Sequence, residues 1–375
     1  MEKKPLIIGV SHHNTYGLVR CFGESGIKVD LILYDCSDSY IGYSKYVNDL
    51  WYNDTAEKAV EQAYELVNNK PSYYVILSST DTVASLVDIR YEEFKDKCSF
   101  FNCGAIGKLT HFMDKEIQTI AAKRVGFAIP KTVSFNKGES TIMFDSFPCI
   151  IKPLASIDGG KRLLFCNSQN EIDRHIADFS DIEKILLQEY LVKDEEIVLL
   201  GVSYRGNIVI PGYIIKYRDV MGGTTYSCTA PSNHLDVSLL EKAKSFVCSL
   251  NYEGLFGIEL IKSKENYYFI EINLRNDATT YSLAVAGVNL PLMYYNLCSG
   301  TNSIDETIFE VRTIFSIVEI VDFSNVVHRR IHFLEWFKQL RQAECRYYFS
   351  KEDKSPYQLA KKNYILTILK KLIRR

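Results

Sequence analysis

The stretch GLFGIELIKSKENYYFIEINLRND, residues 254–277, decides the fold of this chain. It contains two runs rich in apolar and aromatic residues on either side of the polar segment KEN, and this pattern predicts a β-hairpin. We expect the loop to be the three residues Lys264–Asn266, because a three-residue hairpin loop ends in a left-handed residue and Asn tolerates that conformation. The length of this loop then sets which residues of the two strands face each other.

That register brings polar side chains together on one face of the hairpin. Glu259 faces Glu271, and Gly257 faces Asn273. Because side chains alternate across a strand, these residues share their face with Arg275. The same face carries Ile261 and Phe269, and the opposite face, predicted to be core, carries Ile258, Leu260, Tyr268, Ile270, Ile272 and Leu274.

Two carboxylates directly opposite each other destabilise a sheet unless another charge offsets their repulsion. A hard divalent cation does this, and two carboxylates with an amide oxygen suit Mg²⁺, which takes its remaining ligands from water and phosphates. Gly257 has no side chain and leaves room for such a ligand. We therefore predict a magnesium site at Glu259, Glu271 and Asn273. The alternative is a solvated hairpin face whose charges pair with Lys and Arg.

The composition is that of a folded protein with two to three domains, at roughly 150 residues per domain. The chain has 375 residues, of which 47% are hydrophobic, and its 44 basic and 46 acidic side chains give a formal charge of −2. Near neutrality argues against nucleic-acid binding, which depends on neutralising phosphates. The scattered cysteines, the absence of a signal-peptide pattern and the absence of roughly 18 consecutive apolar residues predict free thiols in a cytoplasmic protein without integral membrane contact.

Four segments differ in their patterns. From residue 1 to about 110, short apolar runs alternate with helical patterns, which predicts an α/β domain with a parallel, Rossmann-like sheet. It lacks GxGxxG, so a dinucleotide is not expected there. Residues 111–187 begin with a helix and continue as strands, and residues 188–300 consist mostly of hairpins. Residues 301–375 are predicted to be mainly helical.

The C-terminal end of the sequence is basic. Residues 351–375 contain eight Lys or Arg and two acids. Within them, apolar residues recur on one helical face at Ile365, Ile368, Leu369 and Leu372. This pattern leaves two interpretations open, a peripheral membrane contact and a terminal helix that packs on its own domain with a solvated basic face.

The segment FIEINLR, with Glu259 on the preceding strand, resembles the metal-binding core of the ATP-grasp superfamily. The likeness continues upstream in the order typical of that family: the helix DKEIQTIAAKRVG, the strand FPCIIKPL, the loop SIDGGKR and the hinge LLQEYLVKDEE. The resemblance implies a Rossmann-like domain (1–110), two α+β ATP-grasp subdomains (111–187 and 188–300) and a C-terminal segment (301–375).

The resemblance also implies roles for individual residues. Glu259, Glu271 and Asn273 would hold Mg²⁺ against the phosphates of ATP, while lysines neutralise the triphosphate. Lys152 and Arg275 would be catalytic, with Arg275 stabilising the transferring phosphoryl group or the oxyanion. The residues implied to bind ATP are Lys115, Lys152, Gly159, Gly160, Glu189, Leu191 and Glu195.

Other assignments are open or rest on position in the chain. The hinge lacks the glycine that often precedes the ribose-binding acid in that family, so the choice between Glu195 and Glu196 stays open. His12–His13 follow the first strand, where ligands bind in α/β folds, and are candidates for substrate contact. The segments at 221–230 and 276–282 are expected to form loops that line the acceptor pocket.

These implications lead to an expected function. A carboxylate–amine ligase would activate a carboxylate of an amino acid, a peptide or a cell-surface precursor as an acylphosphate, and an amine would then displace phosphate. The alternatives are a carboxylase or nucleotide-pathway enzyme with another acyl acceptor, and a non-catalytic ATP-binding module. Small-molecule carboxylate and amine substrates are the expected partners, and a homodimer is left open.

Overall fold

The structure is a computed structural model with three β-sheets. Its described residues are 3–69, 73–136, 139, 143–153, 163–179, 182, 184–300 and 309–373. No helix within these ranges is long and apolar enough to cross a membrane. All ten cysteine thiols are unpaired, as their scattered spacing predicts.

The first sheet belongs to the N-terminal part and is entirely parallel. Its elements are β1 (Lys3–Gly9), α1 (His13–Gly23), β2 (Val29–Tyr34), β3 (Val47–Asn53), α2 (Ala56–Asn69), β4 (Tyr73–Ser78), α3 (Asp81–Ile89) and α4 (Tyr91–Phe94). The strand order is β3-β2-β1-β4. Ile7 enters the core shared with α1, and Leu6 and Ile8 enter the core shared with α2. Both faces are therefore covered, which explains the unbroken apolar runs of these strands. The predicted Rossmann-like sheet is confirmed.

The second sheet is antiparallel and smaller. Its elements are α5 (Lys108–Phe112), α6 (Lys115–Arg124), β5 (Thr132–Asn136), β6 (Cys149–Pro153), β7 (Leu164–Cys166), α7 (Gln169–His175) and β8 (Lys184–Glu189), with the strand order β5-β8-β6-β7. One face packs on α7 in a core of its own that includes Phe135, Cys149 and Ile151. The other face is free to line a cleft.

The third sheet has seven strands, in the order β13-β12-β9-β10-β11-β14-β15. Its elements are β9 (Glu195–Tyr204), β10 (Asn207–Val220), β11 (Gly223–Pro231), α8 (Val237–Ser249), β12 (Gly254–Ser263), β13 (Asn266–Asn273), α9 (Thr280–Ala286), α10 (Leu290–Ser299), β14 (Ile314–Ile317), α11 (Glu319–Val327), α12 (Phe333–Gln342), β15 (Cys345–Arg346) and α13 (Lys354–Ile373). The hairpins expected between 188 and 300 are confirmed. The C-terminal segment adds two strands to this sheet besides its helices.

The N-terminal domain docks on the third sheet through helices and through one loop. Helix α1 contacts α9 and α10. The loop after β13 reaches the carboxyl edge of the N-terminal sheet, where the backbone N–H of Asn276 donates to the carbonyl of Ser78 (3.2 Å). Asn14 donates its side-chain amide to the carbonyls of Ser79 (2.9 Å) and Asn276 (3.0 Å). These bonds fix residues 275–277 against the ends of β1 and β4.

A buried carboxylate ties the C-terminal segment to the third sheet. Asp322 of α11 is fully buried and accepts from the guanidinium of Arg218 on β10, with the closest N–O distance at 2.6 Å. It also accepts from Thr225 (2.6 Å) and from the indole N–H of Trp336 (2.9 Å). Elements β10, β11, α11 and α12 therefore meet at one side chain.

We predict that Asp322→Ala lowers the free energy of unfolding by about 3–5 kcal/mol, because it removes a fully buried charge partner and leaves the half-buried Arg218 without a counter-charge. Urea denaturation measures this change. Asp219→Ala removes an exposed acid from the same strand as Arg218 and serves as the control, with an expected loss below about 1 kcal/mol. Equal losses in the two variants would contradict the prediction.

Candidate active site

The second sheet directs a lysine into a cleft because its strands alternate between core and cleft. Ile151 lies in the core of this sheet, while the next residue, Lys152, lines the cleft. The Nζ of Lys152 donates to the side-chain oxygen of Gln188 (2.8 Å), which in turn donates to the hydroxyl of Thr132 (3.0 Å). The cleft has a volume of about 430 Å³, and Leu186 adds an apolar wall.

Helix α6 places a second lysine at the same cleft. Asp114 caps this helix by accepting from the backbone N–H groups of Glu116 and Ile117, which fixes Lys115 at the first helical position. The Nζ of Lys115 lies 2.8 Å from a carboxylate oxygen of Glu271 on β13. The first turn of α6 is therefore held beside the hairpin.

Gln118 holds this arrangement in place, a role that no sequence pattern indicates. Its side chain donates to the carbonyl of Ile272 (3.0 Å) and accepts from the backbone N–H of the same residue (3.0 Å). Strand β13 is the edge of the third sheet, so Gln118 satisfies backbone groups that would otherwise lack a partner. Because Lys115 lies three residues before Gln118, the same contact sets its position over Glu271.

The predicted pairing of the hairpin is confirmed, although the predicted loop is wrong. Glu259 pairs with Glu271 and Gly257 with Asn273. The loop has two residues instead of three, because Ser263 pairs with Asn266 and Lys264 takes the left-handed conformation, with φ of 55°. A bulge between Glu259 and Leu260 shifts the register by one residue and restores the pairing.

The bulge also changes two predicted orientations. Phe269 is buried with Phe127 and Phe246, whereas Ile270 lines the cleft. The prediction had Phe269 on the polar face and Ile270 in the core, which is wrong. An extra residue in one strand reverses the alternation of side chains beyond it.

The space beside Gly257 is not left open. A Cβ at Gly257 would lie 3.1 Å from both Cβ and a carboxylate oxygen of Asp277. Asp277 is buried, and it accepts from the side-chain amide of Asn273 (3.2 Å) and from Thr279. The prediction that Gly257 makes room for a ligand is therefore wrong, because it makes room for a third carboxylate.

Side chains of alternating charge lie next to one another on strands β9, β10 and β12 of the third sheet. Lys216 on β10 reaches a carboxylate oxygen of Glu196 (2.8 Å) on β9 and one of Glu259 (2.7 Å) on β12. Desolvation is the largest cause of the raised pKa of Glu259. Lys216 opposes the rise, and the carboxylates of Glu271 and Asp277 add to it. Glu259 is therefore a desolvated carboxylate beside other acids, where an added cation would stabilise its charged form.

Lys152, on the second sheet, also has a shifted pKa. Desolvation first and the positive charge of Lys115 second lower the pKa of Lys152 to about 8, while Glu271 opposes this shift. A lysine that is crowded by another cation is stabilised in its charged form by an added anion. The arrangement is therefore suited to binding polyanions.

Arg275 connects the carboxylate pair to the N-terminal domain. Its guanidinium donates to the side-chain oxygen of Asn273 (3.2 Å) and forms an ion pair with Asp81 at the start of α3 (3.1 Å). His12, in the loop after β1, stays accessible, but desolvation by its surroundings and then Arg275 lower its pKa to about 4. His13 is buried and faces Tyr347, with ring centroids 5.4 Å apart.

This junction lies where ligands bind in open α/β sheets. Strand β1 leads into the loop with His12, the neighbouring edge strand β4 leads into α3 with Asp81, and chain order reverses between these two strands. Such a switch point leaves a crevice at the carboxyl ends of the strands. Of the two histidines proposed from sequence, His12 therefore opens to the crevice, and His13 belongs to the interior.

The predicted hinge residues divide between two faces of the third sheet. Glu196 lies on the same face of the sheet as Glu259, because Lys216 contacts both. Glu195, the next residue, points to the opposite face near Tyr213. Glu196 therefore shares the face of Glu259 and Lys216, and the predicted Glu195 does not. The Glu189 carboxylate accepts from the backbone N–H of Lys131 (3.2 Å).

The remaining predicted residues are placed as follows. Leu191 follows β8 and is half-buried, and Gly159 and Gly160 lie outside the described residues. Residues 223–231 are strand β11 and not a loop, and Thr225, Ser227 and Thr229 are buried and hydrogen-bonded inside the protein. The expectation that 221–230 line an acceptor pocket as a loop is therefore wrong. From the second expected loop, Asn276 lies at the switch point, whereas residues 280–282 are buried in the first turn of α9, so the expectation of a loop is wrong there.

The sequence model of a known protein family matches the part of the chain that forms this site. Residues 112–279 match the model described as an ATP-grasp domain. This segment is therefore similar to ATP-grasp domains. The resemblance predicted from sequence is confirmed, and the matched range includes Lys115, Lys152, Glu259, Glu271, Asn273 and Arg275.

The chain is also similar to a curated relative and to solved structures. The chain is 28% identical over 177 residues to the formate-dependent phosphoribosylglycinamide formyltransferase of Bacteroides thetaiotaomicron, which is 43% of this chain and 44% of that protein. The match therefore spans less than half the length of that relative. In fold, the chain resembles an N5-carboxyaminoimidazole ribonucleotide synthetase in complex with ADP (TM-score 0.68, 13% identity, 88% and 85% of the two chains). It also resembles an L-amino acid ligase from Bacillus licheniformis (TM-score 0.63, 14% identity, 85% and 80%).

We predict that Lys152 is acylated with half-maximal rate near pH 8, because its pKa is lowered to about 8. Brief treatment with acetic anhydride, followed by mass spectrometry of peptides, measures the rate at each pH. Ordinary lysines in the same digest, with a pKa of about 10.4, serve as the internal reference.

Two variants test the causes of this shift. Lys115→Met removes a repelling cation and moves the Lys152 titration to higher pH, whereas Glu271→Gln removes an attracting anion and moves it to lower pH. Shifts in the same direction would show that the two groups do not act on Lys152 through charge.

Proposed function

We propose that this protein is an ATP-dependent ligase that joins a carboxylate to an amine. The observation that carries the proposal is the convergence of opposite charges on one cleft. Lys115 and Lys152 are suited to phosphate oxygens, and the facing carboxylates of Glu259 and Glu271 are suited to Mg²⁺. Arg275 lies at the end of this pair, beside Asn273.

The residues present fit ATP with Mg²⁺. Two carboxylates face each other, each with one lysine partner, and the pKa of Glu259 is raised. A bound cation would stabilise the charged form of both carboxylates, and Asn273 adds an amide oxygen. When bound, Mg²⁺ would neutralise charge on the phosphates during transfer. The cleft volume of about 430 Å³ and its apolar walls at Ile129, Leu186 and Ile270 suit a purine base.

In the proposed reaction, a carboxylate oxygen of the substrate attacks the γ-phosphorus, and the bond from that phosphorus to ADP breaks. Lys115 and Lys152 hold the phosphate oxygens in place and offset their charge. The amine nitrogen then attacks the carbonyl carbon of the acylphosphate, inorganic phosphate leaves, and the amine loses a proton to solvent. Arg275 stabilises the negative charge of the acylphosphate and of the tetrahedral oxyanion.

We place the substrates at the switch point beside Arg275. His12 has a pKa of about 4, so its imidazole is neutral at pH 7. Its Nδ1 accepts the backbone N–H of Asn14 (3.2 Å), so the ring proton lies on Nε2 and is available to a substrate oxygen. Asp81 pairs with Arg275, and we propose that the substrate carboxylate takes its place.

We expect the carboxylate to come from an amino acid, a peptide or a cell-surface precursor. The second candidate is an enzyme that activates a small acid for a nucleotide precursor. The name of the formyltransferase relative, which refers to formate and phosphoribosylglycinamide, favours this alternative. Assaying both groups of substrates decides between them.

We predict ADP formation that requires ATP, Mg²⁺ and a carboxylate, and hydroxamate formation when hydroxylamine replaces the amine. Separate reactions contain the common amino acids, formate with phosphoribosylglycinamide, and bicarbonate. Turnover with amino acids supports the first candidate, and turnover with formate and phosphoribosylglycinamide supports the second. If the protein binds nucleotide but forms no ADP with all of these acids tested in turn, the proposal of a ligase is contradicted.

We predict that Glu271→Gln lowers kcat by at least about 100-fold, because it removes a charged metal ligand, and that it leaves the unfolding midpoint nearly unchanged. Glu265→Gln makes the same chemical change at an exposed position in the turn of the same hairpin and should retain full activity. Full activity of Glu271→Gln would contradict the assignment of this residue.

A further inference from the structure

Helix α12 presents an exposed apolar face. In the sequence it lies after the segment 112–279 that matches the ATP-grasp model. Leu334 is 80% exposed, Phe333 52% and Phe337 44%, and Val327 at the end of α11 is 54% exposed. We call the exposed side chains of residues 327–341 the α12 surface. Large apolar side chains grouped in this way are uncommon on a protein surface unless something binds them.

The apolar face is not explained by the packing of α12 on its own domain. The other side of the helix already anchors it, because Trp336 is buried and donates to Asp322 (2.9 Å). The ring of Phe333 stacks against Trp336 with centroids 6.2 Å apart, and Phe337 continues this row outward at 6.1 Å. The aromatic row therefore runs from the core into solvent.

The same surface carries unpaired positive charge. Arg329, Arg330, Lys338 and Arg341 are exposed, and none forms an ion pair with any residue in the described ranges. The single acid in this stretch, Glu335, accepts from Gln339 (3.0 Å). Four cations and one acid give residues 327–341 a formal charge of +3.

Helix α13 extends this character. A groove of about 350 Å³ between α11, α12 and α13 is lined by Leu340, Tyr364 and Ile365, among others. Ile365 is 46% exposed, and Lys361 and Lys362 are exposed beside it. Of the apolar face predicted from sequence, Ile365 is therefore accessible, while the side chains of Ile368, Leu369 and Leu372 lie outside the described part.

We propose that the α12 surface binds the anionic face of a lipid bilayer. Phe333, Leu334 and Phe337 would enter the headgroup region, and the four cations would contact anionic headgroups. Aromatic and aliphatic side chains combined with Lys and Arg are the features of helices that lie in a membrane interface. The charge argues against a twofold contact between copies of this chain, because such a contact would bring the same cations together.

Co-sedimentation of the full chain with vesicles tests the proposal. We expect binding to phosphatidylcholine vesicles that contain about 30% phosphatidylglycerol, and little binding to phosphatidylcholine alone, because each cation near an anionic surface contributes about 1 kcal/mol. Raising NaCl from about 0.05 M to about 0.5 M should release most of the bound protein.

Two variants locate the contact. Lys338→Gln with Arg341→Gln should weaken partitioning by about 30-fold, which corresponds to about 2 kcal/mol for two charges. Leu334→Ser should weaken it by about tenfold through lost apolar insertion. The matched controls are Lys28→Gln with Lys97→Gln, which removes two exposed charges from the N-terminal domain, and Val237→Ser at a position that is 72% exposed.

Equal binding to neutral and anionic vesicles would overturn the proposal, as would equal effects of the α12 variants and their controls. A further outcome would assign the surface differently. If neither vesicle sediments the protein and Leu334→Ser converts a dimer to a monomer in analytical ultracentrifugation, the surface is a subunit interface and the membrane proposal is wrong.

Discussion

The site depends on one electrostatic constraint, the placement of two carboxylates directly opposite each other on β12 and β13. Glu259 is largely removed from water, and its neighbour Glu271 raises its pKa. Such a pair persists only where positive charge is brought to it, because desolvation and like-charge repulsion both oppose ionisation. Lys115 supplies one charge from α6 and Lys216 supplies another from β10. The contacts that stabilise the pair are therefore also contacts that hold distant elements together.

The hairpin shows both how far the sequence could lead and where it could not. The pairing of Glu259 with Glu271 follows from a three-residue loop, but the protein reaches it with a two-residue loop and a bulge. The shorter loop and the bulge cancel each other at Glu259 and Glu271. Between the bulge and the loop they do not cancel, so Phe269 and Ile270 exchange faces. Nothing in the local pattern signals the bulge, because Phe269 and Ile270 are both apolar and satisfy either alternation equally.

The residues that sequence reasoning missed act through long-range contacts. Lys216 lies in an ordinary strand pattern, and its partners become visible only once β10 is paired with β9 and β9 with β12. The same pairing separates Glu196 from Glu195. Gln118 is a polar residue in a helix, and only the edge position of β13 explains why it is buried. The N-terminal parallel sheet, by contrast, was predictable because its unbroken apolar runs require cover on both faces.

Glu259 and Glu271 are proposed to hold a divalent cation at the phosphate end of a bound nucleotide. The direct test is anomalous diffraction from crystals grown with Mn²⁺ and a non-hydrolysable ATP analogue. We predict a manganese peak between the two carboxylates, about 2.1–2.2 Å from an oxygen of each, with Lys115 and Lys152 on the phosphates. A nucleotide bound elsewhere, or bound in the cleft while Lys115 and Lys216 remain paired to metal-free carboxylates, would contradict it.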